Sequence, residues 1–285
     1  MILVTGATGT VGGHLVRQLC GHGAAVRALV RSQEKADSLR GYDCETAIGS
    51  YDDEHSLHVA LAGVDRVFLL SAPGEHMADQ ELAVVRAVQH AHGEVRVVKL
   101  AAAGVDGDGD NRLLREHRRV VAGLAEAGIP TTVLAPNSFM QNFLLWAGSA
   151  QEQGAFYLPA GEAALSHVDA RDVAAVAAHV LTSEGHEGAT YTITGPEALT
   201  YHQVADALSK LLDKPVRYVE VPPAAAREAM TGSGVPEWLA DGLLELFEAY
   251  RGGAAAGVTD EVHKATGSPA RTVEAFLRDH LSAYR

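Results

Sequence analysis

Basic residues are scarce in this chain of 285 residues: 23 Lys and Arg stand against 36 Asp and Glu, a net charge of −13 with histidine neutral. No run of lysines and arginines breaks the acidic balance. Such a surface repels polyanions, so nucleic acid and anionic membranes are not expected as direct partners. No apolar run is long enough to span a bilayer, and nothing ahead of the first apolar segment reads as a secretory leader. Cys20 and Cys44 are the only two cysteines. Read as isolated thiols, they exclude a disulfide framework and fit a reducing, cytoplasmic compartment. Histidine is plentiful, with 14 residues. Yet His55/His58 and His90/His92 lack the cysteine or carboxylate set that would complete a metal site, and they read as solvated surface. Internal repeats and low-complexity linkers are absent as well. Apolar substance is not: 47% of the residues are hydrophobic, enough for one large α/β domain with or without a smaller lobe.

The first thirteen residues organise the rest. Met1-Ile2-Leu3-Val4-Thr5 is an apolar run of β-formers. Gly6-Ala7-Thr8-Gly9-Thr10-Val11-Gly12-Gly13 follows at once, and His14 to Leu19 then shows helical spacing. A buried strand, a glycine turn and a helix start form the first βα unit of a dinucleotide-binding sheet. Gly6 serves the tight turn, Gly9 lets a pyrophosphate approach the backbone, and Gly12 lets helix pack on strand. The helix N-terminus offers amides and a positive dipole end to phosphate. Arg31 and Ser32 end the second strand, about 20 residues beyond Gly12, where NAD-binding chains often place an acidic residue. A guanidinium there suits a 2′-phosphate, so NADP(H) is the expected cofactor.

Further along, strand and helix keep alternating. Helices are expected over Val11–Gly21, Gln33–Leu39, Glu54–Leu61, Glu75–His92 and Arg112–Ala127, with strands at 24–30, 45–48, 64–70, 95–100 and 129–134. On the Arg112–Ala127 helix the apolar stripe is Leu113, Val120, Val121 and Leu124. His117 shares it, while Arg115, Glu116, Arg118 and Arg119 fall mostly on the other side. After about residue 150 the alternation weakens. Asp169 and Asp172 open helix 170–182, Thr200-x-x-Gln203 is a capping box opening helix 201–212, and helices near 224–230, 237–250 and 272–284 follow. The expected fold is a Rossmann-like, doubly wound parallel sheet over residues 1–150, with strands from about 166–196 returning to it. Residues 197–285 form a smaller, mostly helical substrate lobe.

With these stretches placed, the chain resembles the atypical short-chain dehydrogenase/reductases of the NmrA-like group, and within it the NAD(P)H-binding quinone reductase and triphenylmethane reductase branch. The matching residues are Val4 to Gly12, Gly63 to Ser71, Val98-Lys99-Leu100, Ala127 to Leu134, Pro136 to Asn142, His167 to Ala174, Tyr191 to Pro196 and Thr266 to Leu277. The resemblance covers nearly the whole chain. It implies cofactor contacts from Gly6, Thr8, Gly9, Thr10, Val11 and Gly12, from Arg31, and from the strand-end residues Ser71, Ala72, Ala101, Pro136 and Asn137.

Departures from the group's pattern bear on the chemistry. No tyrosine has a lysine four residues later, so the Tyr-Lys pair of ordinary short-chain dehydrogenases is missing, as it is generally in the NmrA-like group. Where relatives often carry serine, this chain has Ala101-Ala102-Ala103. The helix that often carries His-x-x-x-Glu reads His117-Arg118-Arg119-Val120-Val121, and Leu134-Ala135-Pro136 stands where relatives often have Leu-Arg-Pro. His117 and Asn137 are the polar residues left to assist a reaction. Phe139, Met140, Phe143 and Trp146 offer an apolar substrate pocket that Trp238 and Phe247 could cover. Two functions fit: NADPH-dependent reduction of a quinone-like or conjugated aromatic carbonyl compound, or a silent NADP(H)-binding redox sensor that docks on a partner protein. Oligomeric state, monomer or homodimer, is left open.

Overall fold

The computed structural model describes residues 1–91 and 93–285, so of the expected His90/His92 pair, His92 lies outside the described residues. Strand and helix alternate through the first part: β1 Ile2–Val4, α1 Thr10–Gly21, β2 Val26–Val30, α2 Gln33–Asp37, β3 Glu45–Ile48, α3 Glu54–Leu61, β4 Arg66–Leu69, α4 Met77–Gln89, β5 Arg96–Leu100, α5 Arg112–Glu126 and β6 Thr131–Pro136. A 3-10 turn, Met140–Trp146, leads to α6 Ala147–Gln153, β7 Ala155–Leu158, β8 Ala164–Leu165, α7 Ala170–Thr182 and β9 Thr190–Ile193. Then come β10 Leu199–Thr200, α8 Tyr201–Leu212, β11 Arg217–Glu220, α9 Pro223–Gly232, α10 Glu237–Arg251, α11 Glu261–Thr266 and α12 Val273–Asp279.

Seven strands make one sheet in the order β3-β2-β1-β4-β5-β6-β9. All neighbours from β3 to β6 pair in parallel. Parallel neighbours need crossover helices, and the strand order reverses at the β1–β4 boundary. An open sheet takes its ligand at such a reversal, outside the carboxyl ends of the strands. The doubly wound sheet expected from the alternation is therefore present.

The chain divides into two compact units, residues 1–108, 114–135 and 170–192 in the first, and residues 109–113, 136–169 and 193–285 in the second. In the first, Leu3, Val67, Leu69 and Val97 of the sheet pack on Leu57, Val84, Val85, Val88, Val120 and Leu124 of α3, α4 and α5. Such strands are apolar on both faces because helices cover both. On α5 the buried positions are Leu114, Glu116, Val120 and Leu124, which corrects the expected stripe. Glu116 is turned inward because the first amides of α4 have no side-chain cap of their own. Its Oε2 accepts the Ala78 N–H at 3.1 Å, and its carboxylate also pairs with Arg119. Cys20 and Cys44 are not isolated either: burial first, and then the nearby Cys44, push the Cys20 thiol up to about 11. Both are free thiols. Among the described residues no helix is long and apolar enough to cross a membrane, and no cluster could hold a metal ion.

The second unit has its own core, built on Phe143, Phe156, Tyr201, Tyr218, Phe276 and Tyr284. The Tyr284 hydroxyl donates to the Phe143 carbonyl at 3.0 Å. The expected capping box is formed, with Thr200 and Gln203 bonding reciprocally. Strands β7 and β11 pair in parallel, and β8 with β10 antiparallel. Strands β7, β8 and β10, and helix α11, have no counterpart in the sequence pattern, whereas β11 falls where a strand is expected, at 216–221.

His167 sits in this core, against the rings of Phe143 at 4.8 Å and Tyr201 at 5.5 Å. Apart from the nearby Ser138 backbone, neither ring nitrogen has a hydrogen-bond partner. Burial pushes its pKa down to about 3. The native state thus refuses a proton that the unfolded chain accepts near pH 6.5, so stability falls as pH drops below that value. One refused proton is worth up to about 1.4 kcal/mol per pH unit. A His167→Phe variant should show a flatter decline of the urea midpoint between neutral and mildly acidic pH. Identical declines in both proteins would remove His167 as the cause.

Candidate active site

Gly6, at φ 60°, lies in the left-handed region that favours glycine. Gly12 is forced by contact, since a Cβ there would lie 2.1 Å from the Gly6 carbonyl oxygen. Gly9 differs from both. Its backbone is extended at φ −85°, ψ −178°, and a Cβ would meet only the Gly6 oxygen, at 3.2 Å. The fold itself does not demand glycine there, whereas a ligand lying against the backbone does. No side chain caps the N-terminus of α1, and its first turn carries no acidic residue. Thr8, Gly9 and Thr10 are exposed, while Val11 is buried beneath them. This open, uncapped helix start fits a pyrophosphate.

Around the same sheet edge stand the ends of β2, β4 and β5. Arg31 is exposed and, among the described residues, has no hydrogen bond or ion pair within the chain. Next to it Ser32 caps α2, its Oγ accepting the Lys35 N–H. An unspent guanidinium beside the adenosine end of a dinucleotide site fits a 2′-phosphate. Arg31→Asp is expected to weaken NADPH binding about tenfold to a hundredfold, the range of a charge-assisted bond, and to affect NADH much less. Calorimetry with both cofactors decides this, and equal losses would remove Arg31 from the 2′-phosphate.

At the end of β4, Ser71 is buried and Ala72 exposed; at the end of β5, Ala101 is buried. The Ser71 N–H and O–H both donate to Glu81 Oε1 at 3.0 Å. Glu81 Oε2 in turn lies 2.6 Å from Lys99 Nζ, and both side chains are wholly buried. Nothing local in the sequence pairs Glu81 with Lys99, 18 positions apart. One signal was available: Lys99 interrupts the apolar run Val97-Val98-Lys99-Leu100, and a charge in a buried strand needs a partner. On α5 nearby, the Nδ1 of His117 is buried without a hydrogen-bond partner. Burial first, and then the Lys99 cation, hold the His117 imidazole well below its usual range. His117 is therefore neutral near pH 7, able to orient a polar atom and unable to act there as an imidazolium acid.

The second unit holds the remaining candidates. Pro136 is buried at the end of β6. Asn137 is fully engaged: Nδ2 donates to Ser166 Oγ at 2.8 Å and to the Ala255 carbonyl at 2.9 Å, and Oδ1 accepts the Ser138 N–H at 2.8 Å. Its amide ties three segments together, which corrects its expected catalytic part. Met140 and Phe143 are wholly buried core residues and offer a ligand no surface, a second correction. Trp146 stacks on Phe156 at 5.0 Å. Phe139, Trp238 and Phe247 are half-buried. Trp238 also carries the Arg112 guanidinium over its ring at 5.9 Å, and Phe247 packs edge-on to Tyr250.

A family model described as the NmrA-like family matches residues 1–277. The chain is 40% identical over 287 residues to an NAD(P)H azoreductase of Xenophilus azovorans, covering 100% of this chain and 99% of that one. The NADPH-dependent quinone oxidoreductase of Escherichia coli, solved with NADPH, superposes with a TM-score of 0.90 at 30% identity, over 99% of this chain and 100% of that one. The triphenylmethane reductase of Citrobacter sp., solved with NADP(H), gives a TM-score of 0.88 at 27% identity, over 98% and 99%.

Proposed function

The chain belongs to the NmrA-like family, and on that premise we infer that it is an NADPH-dependent oxidoreductase reducing a quinone-like or conjugated aromatic small molecule by direct hydride transfer. Relatives named as azoreductase, quinone oxidoreductase and triphenylmethane reductase support this class of acceptor. When bound, NADPH supplies the hydride. The residues that would hold it are the uncapped start of α1 with Gly9, the unspent Arg31, and the Ser71–Ala72 and Ala101 strand ends. Residues 197–285 are taken as the substrate-binding part, with Trp238 and Phe247 as its half-buried aromatic residues. A cytoplasmic setting accords with the two free thiols.

The carrying observation is the lack of a polar side chain at the β5 end, where three alanines stand, and on α5 a neutral His117 within reach of the Lys99 charge and with an unspent Nδ1. Reducing a simple ketone would leave full charge on one oxygen in a low-dielectric site, which is costly without a proton donor. A quinone or an α,β-unsaturated carbonyl spreads that charge over its conjugated system and takes its proton later from water. His117 is left to orient the acceptor oxygen.

The expected result is NADPH oxidation, followed by its absorbance, with small quinones and conjugated aromatic carbonyls, and at least about a hundredfold lower kcat/KM with unactivated aliphatic ketones. Fast aliphatic ketone reduction would reveal a proton donor elsewhere. Tight NADPH binding without turnover on any acceptor would favour the redox sensor instead.

A further inference from the structure

The exit of β4 is held by more polar structure than a strand end requires. Tyr51 Oη donates to the Leu70 carbonyl at 2.8 Å. Thr5 Oγ1 donates to the same carbonyl at 2.8 Å and accepts the Leu70 N–H at 2.8 Å. One residue on, Ser71 gives both its donors to Glu81 Oε1, and Glu81 Oε2 meets Lys99 Nζ at 2.6 Å. Lys99 also donates to the Leu100 carbonyl at 2.6 Å. Backbone leaving β4 is thereby pinned from the β1 side and the β5 side at once. It also runs close to Gly6, where a Cβ would come within 3.1 Å of the Leu70 oxygen.

A wholly buried ion pair is a poor way to add stability, because a packed apolar pair of similar volume often does as well or better. What an ion pair does provide is direction. One carboxylate oxygen accepts both Ser71 donors and the other faces the Lys99 ammonium, so the position of Ser71 is set through an ion pair to a lysine anchored in the next strand. On the reductase reading above, we propose that Glu81 and Lys99 are positioning residues of the cofactor site, fixing the Ser71–Ala72 segment at the depth that NADPH requires. Neither residue touches the cofactor; both act through Ser71.

Glu81→Leu/Lys99→Met removes both charges together and approximately matches volume. Its thermal midpoint is expected near that of the wild type. Its NADPH Kd by calorimetry and its KM for NADPH should rise about tenfold, with kcat at saturating NADPH little changed. Glu81→Gln/Lys99→Met restores an acceptor for Ser71 but not the lysine that aims it, and should recover only part of the lost affinity; full recovery of wild-type Kd would remove Lys99 from the positioning role. Glu81→Asp keeps both charges but withdraws the carboxylate by one methylene, and should weaken NADPH on a folded protein even if the apolar pair does not fold. A purely structural pair would move only the thermal midpoint, so wild-type Kd and KM in the folded variants overturn the proposal. Failure of the wild type to bind NADPH overturns the reductase reading and the proposal together, whereas wild-type binding with unaltered variants overturns the proposal alone.

Discussion

Gly9→Val is expected to abolish NADPH binding, by more than about a hundredfold, while the protein stays folded. The two halves of that result have separate causes. Extended backbone at φ −85° suits a β-branched residue, and only the Gly6 oxygen, at 3.2 Å, crowds the new Cβ. The stability cost is that of a poor helix N-cap, about 1 kcal/mol. The valine methyls, however, project into the space that a pyrophosphate needs to reach the amides of α1. Gly12 makes the contrast, because a side chain there meets Gly6 at 2.1 Å and must disrupt the strand–helix packing itself. Circular dichroism and a thermal melt test the fold, and calorimetry tests the affinity. Retained affinity in Gly9→Val would mean that the loop is a turn and nothing more.

Lys99→Met alone should cost about 3–5 kcal/mol of stability, because it leaves the Glu81 carboxylate buried without its cation. Glu81 is then forced to take up a proton or to drag water into the sheet. Replacing both residues together, as Glu81→Leu/Lys99→Met, should recover most of the loss, since no charge is left to desolvate. Urea unfolding of the single variant, the double variant and Glu81→Leu forms a cycle whose coupling energy isolates the pair. Equal stabilities for the single and double variants would show that the carboxylate already reaches solvent, contrary to its complete burial.

The parts of this molecule legible in its sequence are those whose cause is local. The glycine loop, the Thr200–Gln203 capping box and the bounds of β3, α3 and α8 follow from residues within a few positions of one another. The alternation of strand and helix was enough for the parallel sheet. Hidden were features whose partners lie far along the chain. Asn137 reads as a free polar residue until Ser166 and Ala255 arrive beside it. Met140 and Phe143 read equally as pocket or as core, because an apolar stripe does not say what it faces. Glu116 sits on the polar side of α5 by periodicity, and turns inward only because the start of α4 lacks a cap. Strand β10 has two residues, too few for any period to register.

The Tyr284 bond to Phe143 joins residues 141 positions apart, and the Asn137 bond to Ala255 joins residues 118 apart. A growing chain emerges at roughly 5–20 residues per second. Residues 137 to 169 therefore wait several seconds outside the ribosome before the groups that bury Phe143 and satisfy Asn137 have been made. Throughout that interval their aromatic side chains are exposed and their amides unpaired, the condition in which chains associate wrongly. The seven-stranded sheet needs nothing beyond β9 to complete its hydrogen bonding, so it can close first and shorten the length of chain left searching. Overproduction in a host that translates quickly should therefore fail first through the second unit, and slower synthesis or a chaperone that shields its aromatic stretch should raise the yield.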